Sequence, residues 1–257
     1  MRYLIVNGDD FGMCHSANTA IQDLADCGGI TSTTILTMAG WAAEAVHMIH
    51  QDPHLHPGVH LAHTSEWNGY RWHSLSGLPS LADAEGMLPH TTAEALKIPM
   101  ADRLAECRAQ IRWAERNNLK ITHLDNHMMT LDDDPMRLLE LCAEYGLGCR
   151  YPLHQRQDPA CAAYVEAHGI PCIDWLNPGD GLDYPARLHQ LPEGITEFFT
   201  HPAADSEELR SIAPDWQVRV NDYRFFRSDE FRKILAEESI RLIGYEDIAD
   251  IRAGRKQ

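Results

Sequence analysis

Along this chain, short apolar or β-branched runs alternate with helix-like stretches. That alternation limits the fold more than any other feature. Strand signals fall at residues 4–6, 30–37, 56–61, 119–124, 147–151, 170–176, 194–200 and 240–245. Helical patterns lie between them at 17–27, 41–51, 102–117, 135–145, 158–168 and 231–237. Ser16 is placed to cap the first helix and Pro135 to open the fourth, while Gly28, Gly146 and Gly169 act as stops. Repeated strand-then-helix units predict a parallel sheet. With about eight such units in one chain, the expected architecture is an α/β fold: a distorted (β/α) TIM-like barrel, one domain over 1–257. An open doubly wound sheet is the alternative.

The pattern breaks down between 63 and 99, where Gly, Pro, Ser, Trp and Tyr dominate and no period survives. A loop of this length is expected to be an insertion covering a site. Trp67, Tyr70 and Trp72 sit in it. Residues Asn177-Pro178-Gly179-Asp180-Gly181 read as a second, shorter loop.

A chain of 257 residues can bury a sizeable core. Its net charge of −16, with no Lys/Arg cluster, argues against nucleic acid or an anionic membrane as a partner. No run of about 18 apolar residues is present, so no membrane span is expected. The first strand begins almost at Met1, so no signal peptide precedes it and a cytoplasmic location is expected. The seven cysteines are scattered without a CxxC pair. They read as reduced, mostly buried apolar side chains and not as a disulfide frame or a thiolate zinc site. The oligomeric state is not fixed by the sequence; a homodimer is one expectation.

The chemistry gathers at strand ends. Leu4-Ile5-Val6 runs into Asn7-Gly8-Asp9-Asp10, two adjacent carboxylates at the mouth of a core strand. Such a pair repels unless a cation or hydrogen-bond donors compensate. On the dipeptide alone, a solvated acidic turn is an equal reading. His60, His123-x-Asp125-x-His127 and His201 lie at three further strand ends. In a parallel barrel these converge on one rim. His123, Asp125 and His127 share a face on a strand, and the two histidines also share one on a helix. Asp with two His is a three-ligand set that leaves metal coordination positions open. Nitrogen and oxygen donors suit zinc and related divalent ions, whereas magnesium prefers more oxygen.

The segments Asn7-Gly8-Asp9-Asp10-Phe11-Gly12, Gly58-Val59-His60, Thr122-His123-Leu124-Asp125-Asn126-His127 and Thr200-His201-Pro202 resemble the YdjC-like carbohydrate deacetylases, the group that includes chitooligosaccharide deacetylase. Order and spacing match over nearly the whole chain. The resemblance implies a distorted (β/α) barrel and one divalent metal ion, Mg2+ or Zn2+. It implies Asp9 as general base, Asp10, His60 and His127 as metal ligands, and His201 as catalytic acid. His123 and Asp125 would then orient the ligands or tune the base. Trp67, Tyr70 and Trp72 would stack on the apolar faces of a small carbohydrate substrate. Three departures stand out: Gly8 where Ala is usual, Met128-Met129 where further histidines are common, and an unlike segment over 63–72.

The expected activity is hydrolysis of the C–N amide bond of an N-acetylated carbohydrate, releasing acetate. A metal-dependent amidohydrolase or phosphoesterase acting on a non-sugar substrate is an alternative. So is a catalytically silent carbohydrate-binding protein, although a binding module has no need of a spare carboxylate beside a metal ligand.

Overall fold

Strand β1, Arg2–Phe11, runs through the middle of a parallel sheet and is buried on both faces. The computed structural model describes residues 1–179, 181 and 183–255, so Asp180 of the expected 177–181 loop lies outside the described residues. The other strands are β2 Ser32–Ile35, β3 Pro57–Leu61, β4 His123–Asn126, β5 Gly148–Cys149, β6 Trp175–Pro178, β7 Gly194–Thr200 and β8 Arg241–Leu242. Their order is β5-β4-β3-β2-β1-β7-β6, with β8 pairing the start of β1. All these pairings are parallel, as the alternation of strand and helix requires. Cys149 pairs with Cys172 in a parallel bridge, and its N–H reaches Pro171 O at 2.8 Å, so the two edges of the curled sheet meet. This is the expected distorted (β/α) barrel.

Side chains two apart share a face of a strand. On β1 the even positions Leu4 and Val6 join the large apolar cluster between sheet and helices. Ile5 points the other way and packs with Ile173, Ile195, Ile243 and Tyr245 in the barrel floor. Above it, on the same face, come Asn7 and then Asp9. The interior therefore climbs from apolar floor to charged rim along one strand. The interior face of β7 carries Ile195 in the floor, Glu197 above it and Phe199 at the cleft. Gly58 fits this packing: a Cβ there would lie 2.6 Å from the His123 ring and from its carbonyl.

Several element boundaries differ from the sequence reading. The expected strand 119–124 forms only at His123–Asn126, and 170–176 only at Trp175–Pro178. The first helix is His15–Cys27 and its cap is Cys14, because the Ser16 hydroxyl is engaged by Ser206 and Glu208. The segment 63–99 carries one short α-helix, Thr92–Ala95, and one 3-10 turn, Pro79–Leu81. It is pinned by polar residues on the buried face of the helix Met100–Arg116. Glu106 accepts the backbone N–H groups of Leu75 and Ser76, Gln110 bonds both backbone groups of Ala62, and Arg103 reaches Ile98 O and Thr130 O. The seven cysteines are free thiols and six of them are buried. No described helix is long and apolar enough to cross a membrane.

Candidate active site

A cleft of about 360 Å³ opens at the carboxyl ends of the strands. That size lies within the roughly 300–1,000 Å³ usual for small-molecule sites. Its walls include Asp9, Asp10, His60, His127 and His201, brought from four strand ends.

In a flat strand Asp9 and Asp10 would face opposite sides. Here the β1–β2 register shifts between Gly8 and Phe11, and Asp10 adopts φ 65°. This bulge turns both carboxylates into the cleft, and bulges beside active sites commonly re-aim a side chain in this way. Both residues belong to the strand itself and not to a turn after it.

His60 on β3 sits beside Asp125 on β4 in register, and its Nδ1 lies 2.6 Å from Asp125 Oδ1. His127 follows β4 in a tight turn, and its Nε2 lies 2.9 Å from Glu66 Oε1. A carboxylate only accepts hydrogen bonds, so each histidine donates from that nitrogen. The remaining nitrogens, His60 Nε2 and His127 Nδ1, face one another at 3.1 Å. Asp10 Oδ1 is 3.5 Å from each of them, fully buried and without a hydrogen-bond partner. Three electron-pair donors thus converge on one point, an arrangement that repels itself unless positive charge sits there. Burial depresses the basicity of His127, but Glu66 and Asp10 outweigh it and lift its pKa to about 9, so without a metal ion a proton on Nδ1 supplies that charge at neutral pH. The residues present fit a divalent cation: one carboxylate oxygen and two imidazole nitrogens, each imidazole backed by a carboxylate.

The second oxygen of Asp10 accepts from Arg219 Nη1 at 2.7 Å. Burial works against ionisation of Asp10, yet Arg219 and the surrounding histidines hold its carboxyl far below the usual range. Asp9 is held separately. Arg150, just after β5, donates Nη1 to Oδ2 at 2.8 Å and Nη2 to Oδ1 at 2.6 Å, and Asn7 Nδ2 adds a bond at 2.7 Å. The same guanidinium reaches Asp125 at 2.8 Å and Glu197 at 2.7 Å. Three buried acids share one cation; burial pushes Glu197 up to about 7, against the pull of Arg150.

His201 follows β7 and lines the cleft, its backbone N–H held by Asp222 Oδ2 at 2.9 Å. His123 lies lower in the barrel, stacked on Tyr245 with ring centroids 3.8 Å apart, and touches none of the converging donors. Of the three loop aromatics only Trp67 lines the cleft, where the Arg219 guanidinium lies 5.4 Å from its ring centroid. Trp72 packs edge-on against Trp67 and Tyr70, with Nε1 bonded to Thr64 O, and Tyr70 OH donates to Met13 O. Both belong to the core of the loop. Met128 and Met129, at φ 54° and 55°, stand exposed and also line the cleft.

The sequence from residue 3 to residue 237 matches the family model described as YdjC-like protein. The chain belongs to the YdjC-like family. Among similar proteins, one named carbohydrate deacetylase from Thermus thermophilus is 30% identical, covering 92% of this chain and 90% of its own. One from Geobacillus stearothermophilus is 28% identical, covering 96% and 98%. The solved structure of a "putative cellobiose-phosphate cleavage protein" from Enterococcus faecalis superposes with a TM-score of 0.80 at 25% identity, over 96% of this chain and 98% of that one.

In this YdjC-like chain, sequence reasoning missed Glu66, Arg150, Glu197, Arg219 and Asp222. Glu197 is the one charged residue of β7 and stands two residues from Ile195, on the same face, which is a signal in the sequence. Arg219 and Asp222 occupy the buried face of the helix Trp216–Phe226. An apolar stripe is the usual mark of a helix, and a buried face carrying Arg and Asp hides it.

Proposed function

We propose that this protein is a metal-dependent carbohydrate deacetylase that hydrolyses the acetamide of an N-acetylated sugar. The observation that carries this reading is the convergence of Asp10 Oδ1, His60 Nε2 and His127 Nδ1 in a cleft that also presents Asp9 and His201. The relatives named carbohydrate deacetylase support it.

Asp10, His60 and His127 would hold the ion, which would supply Lewis acidity toward water and the acetamide carbonyl. Asp9 does not share Asp10's place among the donors. Pinned at two points by Arg150, it keeps a fixed orientation toward the cleft and takes the proton of the attacking water. The water oxygen bonds to the carbonyl carbon, and the carbon–nitrogen bond then breaks. An amine leaves poorly until protonated, and His201 on the same rim gives it that proton. Asp125 and Glu66 fix which ring nitrogen of His60 and His127 faces the ion. Trp67 forms an apolar wall for a sugar ring, and Met128 and Met129 add apolar surface to the same cleft.

Mass spectrometry after incubating a panel of N-acetylated mono- and oligosaccharides with Zn2+- or Mg2+-reconstituted protein tests the reading. Loss of one acetyl group is expected, abolished in His60→Ala. Intact sugars throughout, with phosphate release from esters instead, would replace it by a phosphoesterase.

A further inference from the structure

Glu66 sits between Ser65 and Trp67, and both neighbours are buried. Ser65 donates its N–H to Pro89 O at 2.8 Å and accepts the Trp72 N–H at 2.9 Å on its hydroxyl. The backbone entering 66 is therefore held by hydrogen bonds, and the one leaving it by the buried Trp67 side chain, although the segment belongs to the long loop after β3. Its side chain lines the cleft and is only 17% exposed. One carboxylate oxygen, Oε1, is spent on His127 Nε2. The other, Oε2, is buried and has no hydrogen-bond partner. An ionised oxygen left in a cleft wall without a donor is costly, and it recognises only a hydrogen-bond donor.

We infer that Glu66 has two functions: Oε1 positions His127 for the cation, and Oε2 accepts a hydrogen bond from a hydroxyl of the substrate beside the acetamide. On a 2-acetamido sugar unit whose C1 is in glycosidic linkage, the adjacent free hydroxyl is the one on C3. Glu66 would then select vicinal acetamido-hydroxy substrates and disfavour those lacking that hydroxyl. The second function rests on the deacetylase reading; the first does not.

The two functions separate experimentally. For the first, isothermal titration with Zn2+ alone compares wild type, Glu66→Gln and Glu66→Ala. Glu66→Ala should lose roughly 10- to 100-fold in affinity. Glu66→Gln, whose amide oxygen can still accept from His127, should recover part of it. Unchanged affinity in both variants would overturn the positioning role. For the second, wild type is given N-acetylglucosamine oligomers and their 3-deoxy counterparts. Because hydrogen bonds to charged groups are strong, the deoxy compounds should lose roughly 10- to 100-fold in kcat/KM. In Glu66→Gln that discrimination should shrink below about threefold. Equal discrimination in wild type and variant, or none in wild type, would overturn the recognition role. If wild type turns over neither sugar, the deacetylase reading has failed on its own. The same comparison is then made on dissociation constants followed by tryptophan fluorescence, where equal or absent binding overturns the recognition role. The wild-type comparison needs no variant and stands even where Glu66→Ala does not fold.

Discussion

Arg150 grips Asp9 with both terminal nitrogens, at 2.6 and 2.8 Å, across 141 residues of sequence. This two-point pair joins the end of β1 to the end of β5 through the barrel interior. Arg150 also pairs with Asp125 and Glu197. Removing one partner of a buried network leaves uncompensated charge. Arg150→Met is expected to destabilise the protein by about 3–5 kcal/mol, measured by urea denaturation. Arg150→Lys should restore part of that stability but not turnover, because an ammonium cannot hold a carboxylate at two points.

Asp9→Asn should keep the metal and lose roughly 100- to 10,000-fold in kcat, since an amide cannot take the proton from water. Metal content by elemental analysis together with steady-state rates checks this. A variant with near wild-type rate would make Asp9 a structural partner of Arg150 and nothing more.

Trp67 and Trp72 should part company. Trp67→Ala, in the cleft wall, is expected to raise KM for an oligosaccharide while metal content stays unchanged, in addition to the stability lost with a side chain only 6% exposed. Trp72→Ala empties a site 3% exposed and should cost about 3–5 kcal/mol of stability. Thermal melts and kinetics on the two variants read both effects.

For His201, a leaving group that needs no proton is the discriminating probe. His201→Ala should cripple hydrolysis of the N-acetyl sugar yet largely spare an activated acetyl ester such as nitrophenyl acetate, in a protein that accepts the ester. Equal losses on both substrates would assign His201 to binding, and no loss on either would remove it from the mechanism.

His63 supplies a pH dependence. It is buried between Thr130 and the helix Met100–Arg116, and burial pushes its imidazole down to about 4. Unfolded histidine titrates near 6.5. Between those values the unfolded chain binds the proton and the folded chain does not. Stability from this group is therefore full above pH 6.5 and falls as pH drops towards 4. Glu197, raised to about 7, acts in the opposite sense, losing stability as pH rises from the ordinary carboxylate range to 7. Urea midpoints of wild type and His63→Gln at pH 7 and pH 4.5 isolate the histidine. The variant should lose about 2–3 kcal/mol less than wild type on acidification.

Much of this molecule was legible from one dimension. Apolar runs of strand length alternating with helical stripes are enough to demand a parallel sheet, because only that arrangement buries such strands on both faces. Strand ends in a barrel share a rim, so Asp9, Asp10, His60, His127 and His201 could be placed together before any coordinates. What periodicity could not carry was direction and pairing. The bulge that turns Asp10 into the cleft with Asp9 is a property of β1 against β2. Arg150, Glu66, Arg219 and Asp222 come from a post-strand residue, a loop and a helix whose buried side is polar, and nothing local marks them as inward. Trp67 and Trp72, five residues apart in one irregular loop, look alike in sequence. Only the packing of that loop against the helix Met100–Arg116 and the barrel rim decides which of them meets the cleft, because long-range contacts and not local preference set the course of an aperiodic segment.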